Sequence, residues 1–279
     1  MASTHITHLK DYYERVQRFP NRPNALTIGD SWFQYPLRLY PDLQTRLASN
    51  ARFGRRVNFL DDSSPGRDAR DIRTRMRLWR DIAATLADRG RPFALFLVSL
   101  GGNDVIGRDF ARHLTDGAPA DPVRWPWNRR RPAAVRQWID LGALSVTFDA
   151  VAAAHEGILD LRDALAPGAT VITHTYAAVT PSNTPYKFLN MRSGPWIWKP
   201  LTERGVPARD QQVITDWLLE SFAARLQEVA TRRARYVVLD TRLELPDPNA
   251  WDNEIHPLGP GFIHLADTFW APAIEDALG

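Results

Sequence analysis

The chain has 279 residues, of which 44% are hydrophobic and ten are tryptophan, and it contains no cysteine, so its size allows one large core while disulfides and cysteine-ligated metals are excluded. The net charge is only +3 and no basic stripe interleaved with aromatic residues is visible, so nucleic-acid binding is not indicated. No apolar run is long enough to span a bilayer, and residues 1–8 lack the core of a signal peptide, so we expect a cytoplasmic protein.

Helices and strands are predicted to alternate along the first third of the chain. The order is helix 5–18, strand 25–29, helix 37–49, strand 56–60, helix 66–89 and strand 93–100. The first strand ends at the sharp corner Gly29-Asp30-Ser31. The strand over 93–100 is apolar throughout, which is typical of a strand that is covered on both faces of a parallel sheet.

The rest of the chain continues this alternation but contains two irregular segments rich in proline and tryptophan. The predicted order is irregular segment 117–135, helix 143–165, strand 170–176, irregular segment 181–207, helix 210–232, strand 236–240 and helix 259–278. For the first irregular segment two interpretations stay open: a surface loop anchored by its tryptophans, or a wall over a functional site. We interpret its Arg129–Arg131 run as solvent-exposed.

Strands that alternate with helices predict an α/β protein, a three-layer sandwich with helices on both faces of a parallel sheet. We predict a single domain over 1–279, with five strands in the flavodoxin-like order 2-1-3-4-5. In this order the topological switch lies between the first and third strands, and ligands bind there, beyond the carboxyl ends of the strands. Ser31 and Asn103 follow these two strands, so we expect them to share one crevice.

Four residues that follow predicted strands are candidates for a functional site: Ser31, Gly66, Asn103 and His256. Taken singly, each has a common structural explanation, as a helix N-cap, a turn residue or a loop histidine. Taken in this order, with the sequences Gly-Asp-Ser, Gly, Gly-Gly-Asn-Asp and His-Pro around them, they resemble the four blocks of the SGNH (GDSL-type) hydrolase family. The resemblance extends over residues 29–269.

The resemblance implies a serine hydrolase in which Ser31 is the nucleophile and His256 is the base that takes its proton. It also implies an oxyanion hole formed by the backbone amides of Ser31 and Gly66 and the side-chain amide of Asn103. Glycine lets a backbone N–H approach a ligand closely, and a carboxamide donates a hydrogen bond without adding charge. This chemistry uses neither a metal nor a cofactor, and the sequence has no glycine-rich phosphate-binding or dinucleotide-binding motif.

The sequence departs from the family pattern at the acidic member of the triad. Members usually have Asp three residues before the histidine, where this chain has Asn253, flanked by Asp252 and Glu254. Three interpretations are open: Asn253 orients His256, Asp252 reaches the ring through a one-residue shift of the loop, or a backbone carbonyl orients the ring. Because an Asp-to-Asn change in a serine protease costs about four powers of ten in turnover, we favour Asn253 in a slower triad.

We therefore expect an esterase that cleaves small carboxylic esters, with a short acyl chain because no apolar lid helix is evident. Two alternatives remain: an acyltransferase that uses the same serine, and a binding protein that kept the fold and lost activity. The second is suggested by Asn253 and by the tryptophans of the irregular segments, since aromatic rings often anchor partners. The expected partner is a small-molecule ester, and the sequence indicates no oligomeric state.

Overall fold

The computed structural model describes residues 5–6, 8–35, 41–116, 132–188 and 191–279. Within these ranges the strands are β1 His5–Ile6, β2 Asn24–Gly29, β3 Asn58–Asp61, β4 Phe93–Ser99, β5 Thr170–His174, β6 Tyr186–Phe188, β7 Met191–Ser193 and β8 Tyr236–Leu239. The α-helices are α1 Leu9–Arg18, α2 Leu43–Ala48, α3 Ile72–Asp88, α4 Gly102–Ile106, α5 Ala133–Trp138, α6 Leu141–Leu165, α7 Trp198–Glu203, α8 Ala208–Arg232, α9 Gly259–Leu265 and α10 Ala271–Leu278.

The main sheet is parallel, with its strands in the order β1-β3-β2-β4-β5-β8. Without β1, this is the order 2-1-3-4-5 of the five predicted strands, so the predicted fold class is confirmed. The central strand β4 is buried almost throughout, as its uninterrupted apolar sequence predicts. Helices pack on both faces: α6 packs against both α3 and α8, and α2 packs against α9.

The predicted helix over 5–18 is wrong at its start, because His5–Ile6 form a strand and the helix begins at Leu9. The backbone of His5 and Ile6 pairs with Phe59 and Leu60 at the edge of the sheet. Pairing with an existing strand edge therefore overrides the local helical spacing.

Capping residues explain where several helices begin. The predicted helix 37–49 is observed as α2, whose N-cap Asp42 accepts a hydrogen bond from Thr45 N at 2.7 Å, while residues 37–40 lie outside the described residues. The predicted helix 66–89 is observed as α3, preceded by a 3₁₀ turn, Ala69–Asp71, that carries a capping box.

The predicted helix 259–278 is divided into α9, a π-helical turn and α10.

The two irregular segments differ in what the structure describes. In the first, residues 117–131 lie outside the described residues, and with them Arg129–Arg131. The second contains the antiparallel hairpin of β6 and β7 and the short helix α7, which the sequence patterns did not predict. No helix in the described part of the chain combines the length and apolar character that crossing a bilayer requires.

Candidate active site

The four candidate residues line a single pocket at the carboxyl ends of the strands. Ser31 lies in the turn after β2, Gly66 in the loop after β3, Asn103 in α4 after β4, and His256 in the loop after β8. All four border a pocket of about 290 Å³. The sheet order brings these segments together because parallel strands present their carboxyl ends at the same edge.

Ser31 and His256 are hydrogen-bonded to each other, with Ser31 Oγ 2.7 Å from His256 Nε2. The two residues are 225 positions apart in sequence and are only 6% and 5% exposed. A second contact joins the same two loops, since Trp32 Nε1 donates to the carbonyl of Ile255 at 3.1 Å. The geometry is that of a hydroxyl beside a base within hydrogen-bond reach.

Asn253 is hydrogen-bonded to the other nitrogen of the imidazole, with its Oδ1 2.9 Å from His256 Nδ1. The same Oδ1 accepts hydrogen bonds from the backbone N–H groups of Ile255 and His256, both at 3.2 Å, and only an oxygen can accept them. Nδ1 must therefore carry the proton, which leaves Nε2 unprotonated and able to accept the proton of Ser31. The tautomer required of a general base is thus set by the loop.

Asp252 lies one step further from the ring. Its Oδ2 accepts hydrogen bonds from Tyr35 OH at 2.5 Å and from Asn253 Nδ2 at 3.0 Å. The contact to Nδ1 is made by Asn253, so of the three interpretations of the triad the geometry supports the one in which Asn253 orients the ring.

Burial sets the charge state of the His256 imidazole. Loss of solvation lowers the pKa of His256 to about 3, because the charged imidazolium is disfavoured in this environment. A neutral carboxamide does not offset this effect in the way a carboxylate would. The imidazole is consequently neutral near pH 7 and available to accept a proton.

Asn103 and Gly66 line the same pocket as Ser31 and His256. Asn103 Nδ2 donates to the carbonyl of Arg67 at 3.1 Å, which uses one of its two N–H groups. Gly66 has a φ of +71°, and a Cβ added there would have no neighbouring atom within 4 Å. The backbone at Gly66 thus borders open space beside the carboxamide.

The loop that carries Gly66 is held by Asp62. The Asp62 carboxylate accepts hydrogen bonds from Trp79 Nε1 at 2.8 Å and from Arg75 Nε at 3.0 Å, and it pairs with Arg67. Asp62 thus stabilises the loop on which Gly66 lies. The described residues contain no group of three or more His, Cys, Asp or Glu side chains that could hold a metal ion.

A buried polar network next to Ser31 was not predicted from the sequence. The Asp30 carboxylate accepts hydrogen bonds from Trp32 N at 3.0 Å, Ser99 Oγ at 3.0 Å and Tyr176 OH at 2.6 Å. Burial raises the pKa of Asp30 to about 6, although these hydrogen bonds oppose the shift. Asp30 lies in the Gly29-Asp30-Ser31 corner, and this position was the sequence feature that could have indicated its role. Its carboxylate holds the backbone turn that contains Ser31.

Glu254 is a second residue whose role the sequence did not reveal. It is 2% exposed, and its carboxylate accepts hydrogen bonds from the backbone N–H groups of Ser182, Ile197 and Trp198 at 3.2, 2.8 and 2.6 Å. It therefore ties the histidine loop to the segment that carries Trp196, whose ring lies 5.8 Å from the His256 ring at a steep angle. Burial raises the pKa of Glu254.

Neither the scan of family models nor the search of curated proteins gives a match to this chain. The solved structures do: an extracellular lipase from Streptomyces rimosus matches with a TM-score of 0.51 at 15% identity, over 92% of this chain and 100% of the lipase. An acetylxylan esterase from Geobacillus stearothermophilus matches with a TM-score of 0.49 at 14% identity, over 92% of this chain and 94% of the other. A member of the lipolytic G-D-S-L family from Veillonella parvula matches with a TM-score of 0.45 at 12% identity, over 88% and 94%.

The lipase shows that the chain has the fold of a known ester hydrolase over almost its whole length. The α/β fold predicted from the sequence is thus confirmed by a solved structure as well.

Proposed function

We propose that this chain is a serine hydrolase that cleaves small carboxylic esters through an acyl-enzyme on Ser31. The observation that carries the proposal is the 2.7 Å contact between Ser31 Oγ and His256 Nε2, in a pocket that Gly66 and Asn103 also line. Fold alone never establishes an activity. A hydroxyl hydrogen-bonded to an imidazole in the required tautomer, in a pocket lined by amide groups, supports acyl transfer.

Acylation begins when Ser31 Oγ attacks the ester carbonyl and its proton passes to His256 Nε2. The carbonyl π-bond electrons move to the oxygen, and the backbone amides of Ser31 and Gly66 and the carboxamide of Asn103 stabilise the resulting oxyanion. The bond from carbon to the alcohol oxygen then breaks, and the imidazolium returns the proton to that oxygen. The products are the free alcohol and an ester between the acyl group and Ser31.

Deacylation repeats these steps with water. His256 Nε2 takes a proton from the water as its oxygen attacks the acyl carbon, and the same amide donors stabilise the second oxyanion. The bond between the acyl carbon and Ser31 Oγ breaks, and the proton on Nε2 goes to Oγ. The carboxylic acid leaves and the serine is regenerated.

The pocket supports a small, uncharged substrate. Its volume is about 290 Å³, at the lower end of what ligand pockets offer. Its charged lining residues, Asp68 and Arg108, are paired at 2.9 Å and compensate each other. Apolar contact surface comes from Trp196 and Ile255 beside the nucleophile. A short acyl chain fits this arrangement.

Hydrolysis of p-nitrophenyl acetate by the wild-type protein and by Ser31→Ala tests the proposal. We expect turnover by the wild type and its loss in Ser31→Ala. Ser49→Ala is the matched control, because Ser49 is exposed and its hydroxyl donates to the carbonyl of Arg46 within α2. Equal turnover by wild type and Ser31→Ala would overturn the proposal. Adding a competing alcohol and analysing the products distinguishes hydrolysis from acyl transfer.

A further inference from the structure

The carboxamide of Asn253 lies between the imidazole of His256 and the carboxylate of Asp252 and is hydrogen-bonded to both. On one side its Oδ1 accepts from His256 Nδ1 at 2.9 Å, and on the other its Nδ2 donates to Asp252 Oδ2 at 3.0 Å. Because the backbone N–H groups of Ile255 and His256 fix the position of the oxygen, the NH₂ group must point towards the carboxylate. The orientation of the amide is therefore determined at both ends.

Tyr35 holds the carboxylate in this position. Its hydroxyl donates to Asp252 Oδ2 at 2.5 Å and accepts from Asn253 Nδ2 at 3.0 Å, so the three groups form a closed triangle of hydrogen bonds. The Tyr35 side chain is buried, and its ring lies 4.8 Å from the His256 ring. Burial, together with the neighbouring carboxylate, raises the pKa of Tyr35. The phenol therefore stays protonated and donates its hydrogen bond to Asp252.

We propose that Asp252 is a positioning residue that acts on His256 through Asn253, by fixing and polarising the carboxamide that holds the imidazole. The inference rests on the proposed function. A carboxylate at the NH₂ end draws positive charge to that end of the amide and increases the negative charge on Oδ1. The oxygen then stabilises the imidazolium better than the carboxamide alone would, because hydrogen bonds in a chain polarise one another in a low-dielectric environment.

The other groups that face the imidazole do not supply this negative charge. Tyr35 and Tyr186 are phenols, and burial raises the pKa of both, so they are neutral at the pH of an ordinary assay. Trp196 and Ser31 also contact the imidazole and carry no ionisable group in that range. The charged residues that line the same pocket, Asp68 and Arg108, are paired with each other. Asp252 is the carboxylate that is linked to the ring by a continuous path of hydrogen bonds.

The test is a double-mutant cycle on Asp252 and Asn253, with p-nitrophenyl acetate as the substrate. Asp252→Asn removes the charge from the path, and we expect kcat to fall about 10-fold or more with little change in KM, since the imidazolium forms only as the reaction proceeds. Asn253→Asp places a carboxylate directly on Nδ1. In that background Asp252→Asn should reduce kcat by a factor at least 10-fold smaller than in the wild type, because the imidazolium no longer depends on the path from Asp252 through Asn253.

A matched control is Asp247→Asn, which removes an exposed carboxylate from the same loop that only caps Asn249. We expect it to change kcat by less than a factor of two. Circular dichroism and thermal unfolding establish that each variant is folded, and labelling of Ser31 with a fluorophosphonate tests the proposed function separately.

Three results would overturn the inference while Ser31 still reacts with the fluorophosphonate. They are unchanged kcat in Asp252→Asn, an equal loss in both backgrounds, which indicates a purely structural role, and an equal loss in Asp247→Asn. Absence of labelling at Ser31 in the wild type would instead overturn the proposed function, and the inference about Asp252 with it. A loss of kcat that Asn253→Asp suppresses supports the inference.

Discussion

The imidazole of His256 and the carboxamide of Asn253 are joined from Nδ1 to Oδ1 at 2.9 Å, so the ring of the proposed base is oriented by a neutral group. A neutral acceptor fixes the tautomer and the ring plane but cannot compensate the charge of the imidazolium as a carboxylate does. Burial lowers the pKa of the ring to about 3, and the neutral carboxamide does not offset this effect.

The pH dependence of the reaction follows from this pairing. We expect kcat/KM to be retained well below pH 6, because a base with a low pKa stays unprotonated there, and kcat/KM reports the ionisations of the free enzyme. In Asn253→Asp the new carboxylate favours the imidazolium and raises the pKa of His256, so the acidic limb should move to higher pH. A wild-type limb at pH 6.5 or above, or identical limbs in the two proteins, would contradict this account.

Asn103 is predicted to stabilise the oxyanion through its side-chain amide. Replacing it by alanine removes a donor that acts on the developing charge, so kcat should fall by about 10²–10³-fold while KM changes little. The measurement is steady-state hydrolysis of p-nitrophenyl acetate, with the melting temperature followed in parallel. A higher KM with unchanged kcat would show that Asn103 instead contributes to binding the substrate in its ground state.

Gly66 and Gly90 form a matched pair for testing the role of the second donor. Both have positive φ, +71° and +68°, and an added Cβ would meet no atom within 4 Å at either position. Alanine at each should lower the free energy of unfolding by about 1–2 kcal/mol, the cost of a left-handed backbone. Only Gly66→Ala should also reduce kcat, by at least about 10-fold, because a small displacement of its amide weakens the oxyanion contact. Equal activity in both variants would argue against Gly66 as a donor.

Glu254 is predicted to stabilise the contact between the histidine loop and the segment before α7. In Glu254→Gln an NH₂ group replaces one carboxylate oxygen and faces a backbone N–H, so at least one buried donor loses its acceptor. We expect the free energy of unfolding in urea to fall by about 1–3 kcal/mol. Glu203→Gln is the control, since Glu203 is 65% exposed and its pair with Lys199 contributes little. Equal midpoints would contradict the proposed role.

The same residue gives stability a dependence on pH with a defined sign. Burial raises the pKa of Glu254 in the folded protein, so the folded state keeps its proton at pH values where the unfolded chain has released it. Its contribution to the free energy of unfolding therefore falls as pH rises from the ordinary carboxyl pKa through the raised value. Glu254→Gln should remove this component, which a comparison of the two pH–stability curves measures.

The sequence was informative wherever one local pattern decided the outcome. Alternating apolar runs and helical spacing predicted the five strands, and the flavodoxin-like order assigned to them is the observed one. The residues after those strands converge because parallel strands present their carboxyl ends at one edge. The edge strand β1 could not be predicted, because His5 and Ile6 become a strand only by pairing with β3. The hydrogen bonds of Asp30 and Glu254 could not be predicted either, because their partners lie far away in the sequence.

We expect Ser31 to be a nucleophile that His256 activates, and covalent labelling of the serine measures this reactivity. A fluorophosphonate should react at Ser31 with loss of fluoride, and peptide mapping by mass spectrometry should place one adduct per chain on that residue. The account predicts no adduct in Ser31→Ala and much slower labelling in His256→Ala. An unlabelled wild-type protein, or an adduct on another residue that persists in Ser31→Ala, would contradict it.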